Sequence, residues 1–101
     1  MPTGFPLGGV VVSEASLTRR IVNLLKARGC WVFKVHGHPW QRSGIPDILA
    51  CYGGQLLAIE VKSLGAKLTP LQERERHALI GVGALHVVAY TVEDVQKAFN
   101  V

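Results

Sequence analysis

The chain has 101 residues, enough for one compact domain and too few for two. Hydrophobic residues make up 49% and charged residues 18%, which excludes a disordered chain and describes an ordinary globular core. The formal charge of +4 suits a polyanionic partner without requiring one, and a total of two cysteines excludes a disulfide framework or a cysteine-rich zinc site.

Residues 1–12, "MPTGFPLGGVVV", carry no basic residue ahead of a short apolar run, so they do not read as a secretory signal and are too short to span a bilayer. They are expected to form a flexible or partner-packed arm before a single domain over 13–101, with no membrane partner. "SEASLTRRIVNLLKARG" predicts a helix capped by Ser13, with Leu17, Ile21, Leu24 and Leu25 as its apolar stripe and Gly29 just past its end. "CWVFKVH" follows as a strand, and "GHPWQRSGIP" as a loop long enough to carry function. "DILACY" and "QLLAIEVK" are strands joined by Gly53-Gly54, the composition of a two-residue hairpin turn. Thr69 and Pro70 open a second helix that runs to about Gly81 or Gly83. "ALHVVAY" is a fourth strand, and "TVEDVQKAFN" a last helix opened by the Thr91/Asp94 pair. Cys30 and Cys51 fall in apolar strand runs and read as free, buried thiols of a reducing cytoplasm. The order α-β-β-β-α-β-α predicts an α/β fold, a three-layer-like sandwich with a mixed central sheet. Because the strands are apolar on both parities, helices are expected over both faces.

Within this apolar run three charges stand out: Asp47, Glu60 and Lys62. A two-residue turn at Gly53-Gly54 pairs Tyr52 with Gln55, and counting back sets Asp47 directly opposite Glu60. Lys62 shares the face of Glu60, since side chains alternate with period two. Opposed carboxylates about 5 Å apart repel by on the order of 3 kcal/mol at an effective dielectric near 20. They persist by sharing a proton or by binding a cation, and oxygen ligands of this kind suit Mg²⁺, with Mn²⁺ as a substitute. Singly, each residue reads as a solvated strand-end charge; the ordered set is far more specific.

At these residues the chain resembles a PD-(D/E)XK nuclease, with "PD" at Pro46-Asp47 and "EVK" at Glu60-Val61-Lys62. Within that superfamily it is most similar to the VRR-NUC (virus-type replication-repair nuclease) family, through "GIPD", "LTPLQ" over 68–72 and the glycine-led "GALHVVAYT". The resemblance implies a restriction-endonuclease-like core and Mg²⁺-dependent hydrolysis of DNA phosphodiesters. It implies that Asp47 and Glu60 bind the metal with the backbone carbonyl of Val61, and that Lys62 positions the attacking water. Gln72 would support the lysine or the phosphate, and Glu14 would be a third acidic ligand or a water-mediated contact.

The loop ahead of Asp47 supplies His38, Trp40, Arg42 and Ser43 as expected DNA contacts, with Trp40 available to stack on an exposed base. Arg19, Arg20 and Lys67 extend a phosphate track, with Lys26, Arg28 and Lys34 as further candidates. Glu73, Arg74, Glu75 and Arg76 alternate in sign and read as an exposed helix face. The expected protein is a cytoplasmic, structure-selective endonuclease of bacterial, viral or phage origin, resembling a Holliday-junction resolvase. Paired incision of a four-way junction calls for a homodimer, for which the arm and the last helix, with Val95 and Phe99, are candidate surfaces. The competing readings are a restriction-like duplex endonuclease and a non-catalytic nucleic-acid-binding subunit on the same fold.

Overall fold

Three helices and four strands follow one another as α1 (Glu14–Ala27), β1 (Trp31–Lys34), β2 (Ile48–Tyr52), β3 (Gln55–Val61), α2 (Pro70–Gly81), β4 (Leu85–Ala89) and α3 (Val92–Phe99). The computed structural model describes residues 13–101, so the arm expected over 1–12 lies outside the described residues. Ser13 caps α1, its hydroxyl accepting the Ser16 N–H at 3.1 Å. Gly29, at φ +82°, turns the chain out of α1 into β1.

The strands lie in the order β1-β2-β3-β4, antiparallel across the first three and parallel between β3 and β4. The parallel pair requires a crossover, which α2 supplies. Gly53 and Gly54 both take positive φ, 57° and 81°, the backbone of a two-residue hairpin turn. From that turn the ladder runs from Tyr52 with Gln55 to Ile48 with Ile59, the predicted register, and ends just before Asp47 and Glu60.

One sheet face carries the core. Val32, Ile48, Ala50, Leu57, Ile59, Val61 and Ala89 pack against Leu17, Ile21 and Leu25 of α1 and Val95 of α3. Val95 is fully buried and Phe99 packs against the same cluster, so these two apolar residues of α3 serve the chain's own core. The helix is short, and its apolar stripe is used up in reaching β4 and α1.

The other face departs from the expectation of full cover. α2 lies over it at the β4 side, and among the described residues no helix packs closely on the outer face of β1 and β2. Trp31 is 62% exposed, Phe33 49% and Leu56 38%. Apolar residues at both parities show that two faces avoid water; they do not show that this chain covers both.

The loop from Val35 to Asp47 is fixed at both ends. The Val35 N–H donates to the Asp47 carbonyl at 2.8 Å, and Gly44, at φ +93°, packs directly on the Leu71 carbonyl at the start of α2. A methyl group at Gly44 would overlap that carbonyl, whereas one at Gly37 would meet nothing. Gly44→Ala is therefore expected to destabilise the fold by about 2 kcal/mol or more, and Gly37→Ala by less than about 0.5 kcal/mol. Denaturant unfolding of the two variants checks this.

Candidate active site

Asp47 enters β2 behind the buried Pro46, and its Oδ2 accepts the Val61 N–H at 2.7 Å. That bond continues the β2–β3 ladder with a side chain where the backbone ladder has ended. It sets the Asp47 carboxylate against the end of β3, beside Glu60. The Val61 N–H points toward β2, so its carbonyl points to the same side, while β4 is met by the Lys62 N–H donating to the Ala89 carbonyl at 3.0 Å.

Glu60 is 3% exposed. Burial raises its pKa from the usual carboxylate range to about 8, reinforced by hydrogen bonding to Asp47 and repulsion from it. Lys62 pulls the other way, and Glu14 adds a little further repulsion. Glu60 thus keeps its proton well above the usual carboxylate range; a cation in the proton's place would relieve both the repulsion and the desolvation.

Gln72 orients this pair from α2. Its Oε1 accepts the Thr69 N–H at 2.9 Å while the Thr69 hydroxyl accepts the Gln72 N–H at 3.2 Å, a complete capping box. With the oxygen committed to the cap, the amide Nε2 is turned to Glu60 Oε2 at 3.4 Å. Lys62 is half-buried just beyond, and none of the ion pairs among the described residues involves it.

Glu14 lies on the α1 side of the cleft that Asp47 and Val61 also line. Its Oε2 accepts both the N–H and the hydroxyl of Ser63, at 2.9 and 2.8 Å. Among the described residues no three His, Cys, Asp or Glu side chains converge as a metal site. The oxygen set that fits a divalent cation is thus Asp47, Glu60 and the Val61 carbonyl, hard donors of the type that Mg²⁺ and Mn²⁺ take with water completing the shell. Glu14 fixes the segment after Lys62 and lines the cleft beside it.

That cleft, about 420 Å³, runs between α1 and the strand ends and is lined by Glu14, Thr18, Arg19, Lys34, Asp47 and Val61 among others. Arg19 therefore reaches the site. Arg20, on the other flank of α1, faces Tyr90 and Glu93 in a second, smaller pocket. Trp40 is 90% exposed, and His38, Ser43 and Lys67 are also at the surface. His38 Nδ1 accepts the Trp40 N–H at 3.1 Å, which shapes the loop tip.

One residue differs from the reading of the sequence, Glu75, which is buried. Arg42 is held by Glu75, 3.0 Å from Nη2 to Oε1, and Glu75 is buried at 6% exposure rather than on a solvated face. Gln72 and Glu75 are three apart and share a helix face, so an inward Gln72 implies an inward Glu75. Lys34 is brought to the cleft because it pairs with Ile48, next to Asp47.

The raised pKa of Glu60 gives stability a definite pH dependence. Between its ordinary value of 4.5 and about 8 the folded chain keeps a proton that the unfolded chain has lost. Stability of the metal-free protein is thus expected to be greatest at the acid end of that window and to fall as pH rises through it. Thermal unfolding with a chelator is expected to show a Tm a few degrees lower at pH 8.5 than at pH 5.5. Glu60→Gln is expected to remove most of that difference, and added Mg²⁺ to raise the Tm at pH 8.5.

Comparison with known proteins agrees with this geometry. A family model described as archaeal Holliday junction resolvase (Hjc) matches residues 14–81. A solved VRR_NUC domain shares 28% identity over 86% of this chain and 94% of its own, with a TM-score of 0.73. The Archaeoglobus fulgidus Hjc structure, a Holliday junction resolvase from an archaeal hyperthermophile, shares 30% identity over 74% of this chain and 65% of its own, with a TM-score of 0.57. No curated protein sequence matches significantly. With its two strand-end carboxylates, its following lysine and a match over two-thirds of its length, the chain belongs to the Holliday junction resolvase (Hjc) family, on the nuclease fold it shares with VRR-NUC domains.

Proposed function

We propose that the chain is a Mg²⁺-dependent, structure-selective DNA endonuclease that incises branched DNA, four-way junctions foremost, as a twofold homodimer. The observation that carries the reading is the Asp47–Glu60 pair: a buried carboxyl raised to about 8 beside a second carboxylate, with a free lysine two residues on. A binding module has no need of so costly an arrangement.

A divalent cation held by Asp47, Glu60 and the Val61 carbonyl would supply Lewis-acid stabilisation of the phosphate charge. The chain's own residues do the rest. Lys62 extends from the end of β3 toward the phosphate, where its ammonium orients the attacking water and stabilises charge on the non-bridging oxygens. Gln72 keeps Glu60 in place, because its amide cannot rotate without breaking the cap of α2. Arg19 and Lys34 in the cleft supply positive charge for the strand that carries the scissile phosphate. Exposed Trp40, on the loop leading into Asp47, offers a flat face for a base at a branch. Arg42, held on Glu75, serves to tie that loop to α2. Among the described residues no element stands out for reading bases in a groove, which favours recognition of DNA shape.

Asp47→Asn is expected to abolish Mg²⁺-dependent cleavage of an end-labelled four-way junction while binding in Ca²⁺ is kept or tightened. The amide oxygen can still accept the Val61 N–H, so the fold is retained. Lys62→Ala is expected to lower the single-turnover rate by about 100-fold or more. Cleavage of linear duplex alone would mean a restriction-like enzyme, and binding with no cleavage of any DNA would mean a non-catalytic subunit.

A further inference from the structure

Leu64 is the most exposed large apolar side chain among the described residues, at 91%. A single exposed leucine is ordinary on a protein surface. The setting of this one is not. It follows Lys62 by two residues and sits at the tip of a tight turn. There the Ala66 N–H donates to the Ser63 carbonyl at 2.9 Å, and Gly65 takes φ +84°. The turn is also held from two sides. Glu14 Oε2 accepts both the N–H and the hydroxyl of Ser63, at 2.9 and 2.8 Å, and the Tyr90 hydroxyl donates to the Ala66 carbonyl at 2.8 Å. The start of α1 and the residue after β4 thus clamp both ends of a turn whose tip side chain stands in solvent. Burial contributes almost nothing at that exposure, so folding does not account for a leucine here.

We propose that Leu64 is a wedge that enters the base stack of branched DNA close to the phosphate that Lys62 meets. Two residues span at most about 7 Å of chain, and the nucleotides of one strand are spaced about 3.4 Å apart along the duplex axis. The leucine therefore reaches the first or second base step from that phosphate. An apolar side chain driven between base steps unstacks them and kinks the duplex. The cost of parting two bases is least where pairing is already interrupted, as at a branch, so a wedge selects DNA shape without reading sequence.

A wedge works only if it yields less readily than the bases. The four hydrogen bonds of the turn supply that stiffness, which makes Glu14 and Tyr90 positioning residues for Leu64. Lys62 and the exposed Lys67 bracket the turn in sequence and offer charge to phosphates beside the parted step. The wedge presupposes the branched-DNA reading and names the residue that selects the branch.

2-Aminopurine at the branch of a four-way junction reports unstacking, with Ca²⁺ replacing Mg²⁺ so that no strand is cut. Wild type is expected to raise its fluorescence several-fold on binding. Leu64→Ser is expected to bind and leave it low, and Leu64→Met to restore the rise. Val82→Ser, at another highly exposed apolar residue just past α2, is expected to behave as wild type. In single turnover with Mg²⁺, Leu64→Ser is expected to cut a fully paired junction about 10-fold or more slowly, and a junction with unpaired bases at the branch at nearly the wild-type rate. Three results overturn the proposal: wild-type binding without a fluorescence rise, equal slowing of paired and unpaired junctions in Leu64→Ser, or a lowered Tm in that variant. The last would mean that the leucine packs against the chain, residues 1–12 included. A fluorescence rise in Ca²⁺ with no cleavage in Mg²⁺ would contradict the nuclease reading and uphold the wedge. Failure of wild type to bind branched DNA would overturn both.

Discussion

The hydrogen bond from the Val61 N–H to Asp47 Oδ2, 2.7 Å long, is the interaction on which the site depends. It lies where the β2–β3 ladder stops, and it replaces the next backbone bond with one to a carboxylate. Asp47 is thereby held against β3 at the height of Glu60, in spite of the repulsion between them. Burial then decides the balance: with Glu60 only 3% exposed, water cannot screen the pair, and its carboxyl is pushed up to about 8. The resulting site carries an unmet demand for positive charge at a fixed place.

The surrounding structure serves to keep that place fixed. The capping box of α2 determines which end of the Gln72 amide faces Glu60. Arg42 on buried Glu75, together with Gly44 against the Leu71 carbonyl, ties the loop before Asp47 to the same helix. On the far side Glu14 anchors Ser63, and the Tyr90 hydroxyl donates to the Ala66 carbonyl at 2.8 Å. Lys62 thus leaves β3 between a pinned strand and a pinned turn.

Much of this was legible in the sequence because it follows from local chemistry. Two glycines permit a two-residue turn, the turn fixes the register, and the register sets Asp47 beside Glu60. Ser13, Thr69 and Thr91 mark helix starts through the same capping geometry that the structure shows. What could not be read depends on contacts between distant segments. Glu75 sits in a run of alternating charge, and its pairing with Arg42, thirty-three residues away, could not be read from that run. Glu14 has the residue type of a metal ligand, and the bonds of its Oε2 to Ser63, forty-nine residues away, could not be read from the chain. The open face of β1 and β2 has the composition of a covered one, because a strand records that a face avoids water and not which chain covers it.

The central claim, the proposal that Glu60 gives up its proton for a divalent cation held beside Asp47, is tested most directly by calorimetric titration with Mn²⁺ at pH 7 in buffers of different ionisation enthalpy. Binding is predicted to release most of one proton per site, to lose that release in Glu60→Gln, and to be abolished or strongly weakened in Asp47→Asn. Binding with no proton release in wild type, or binding undiminished in Asp47→Asn, would contradict the account.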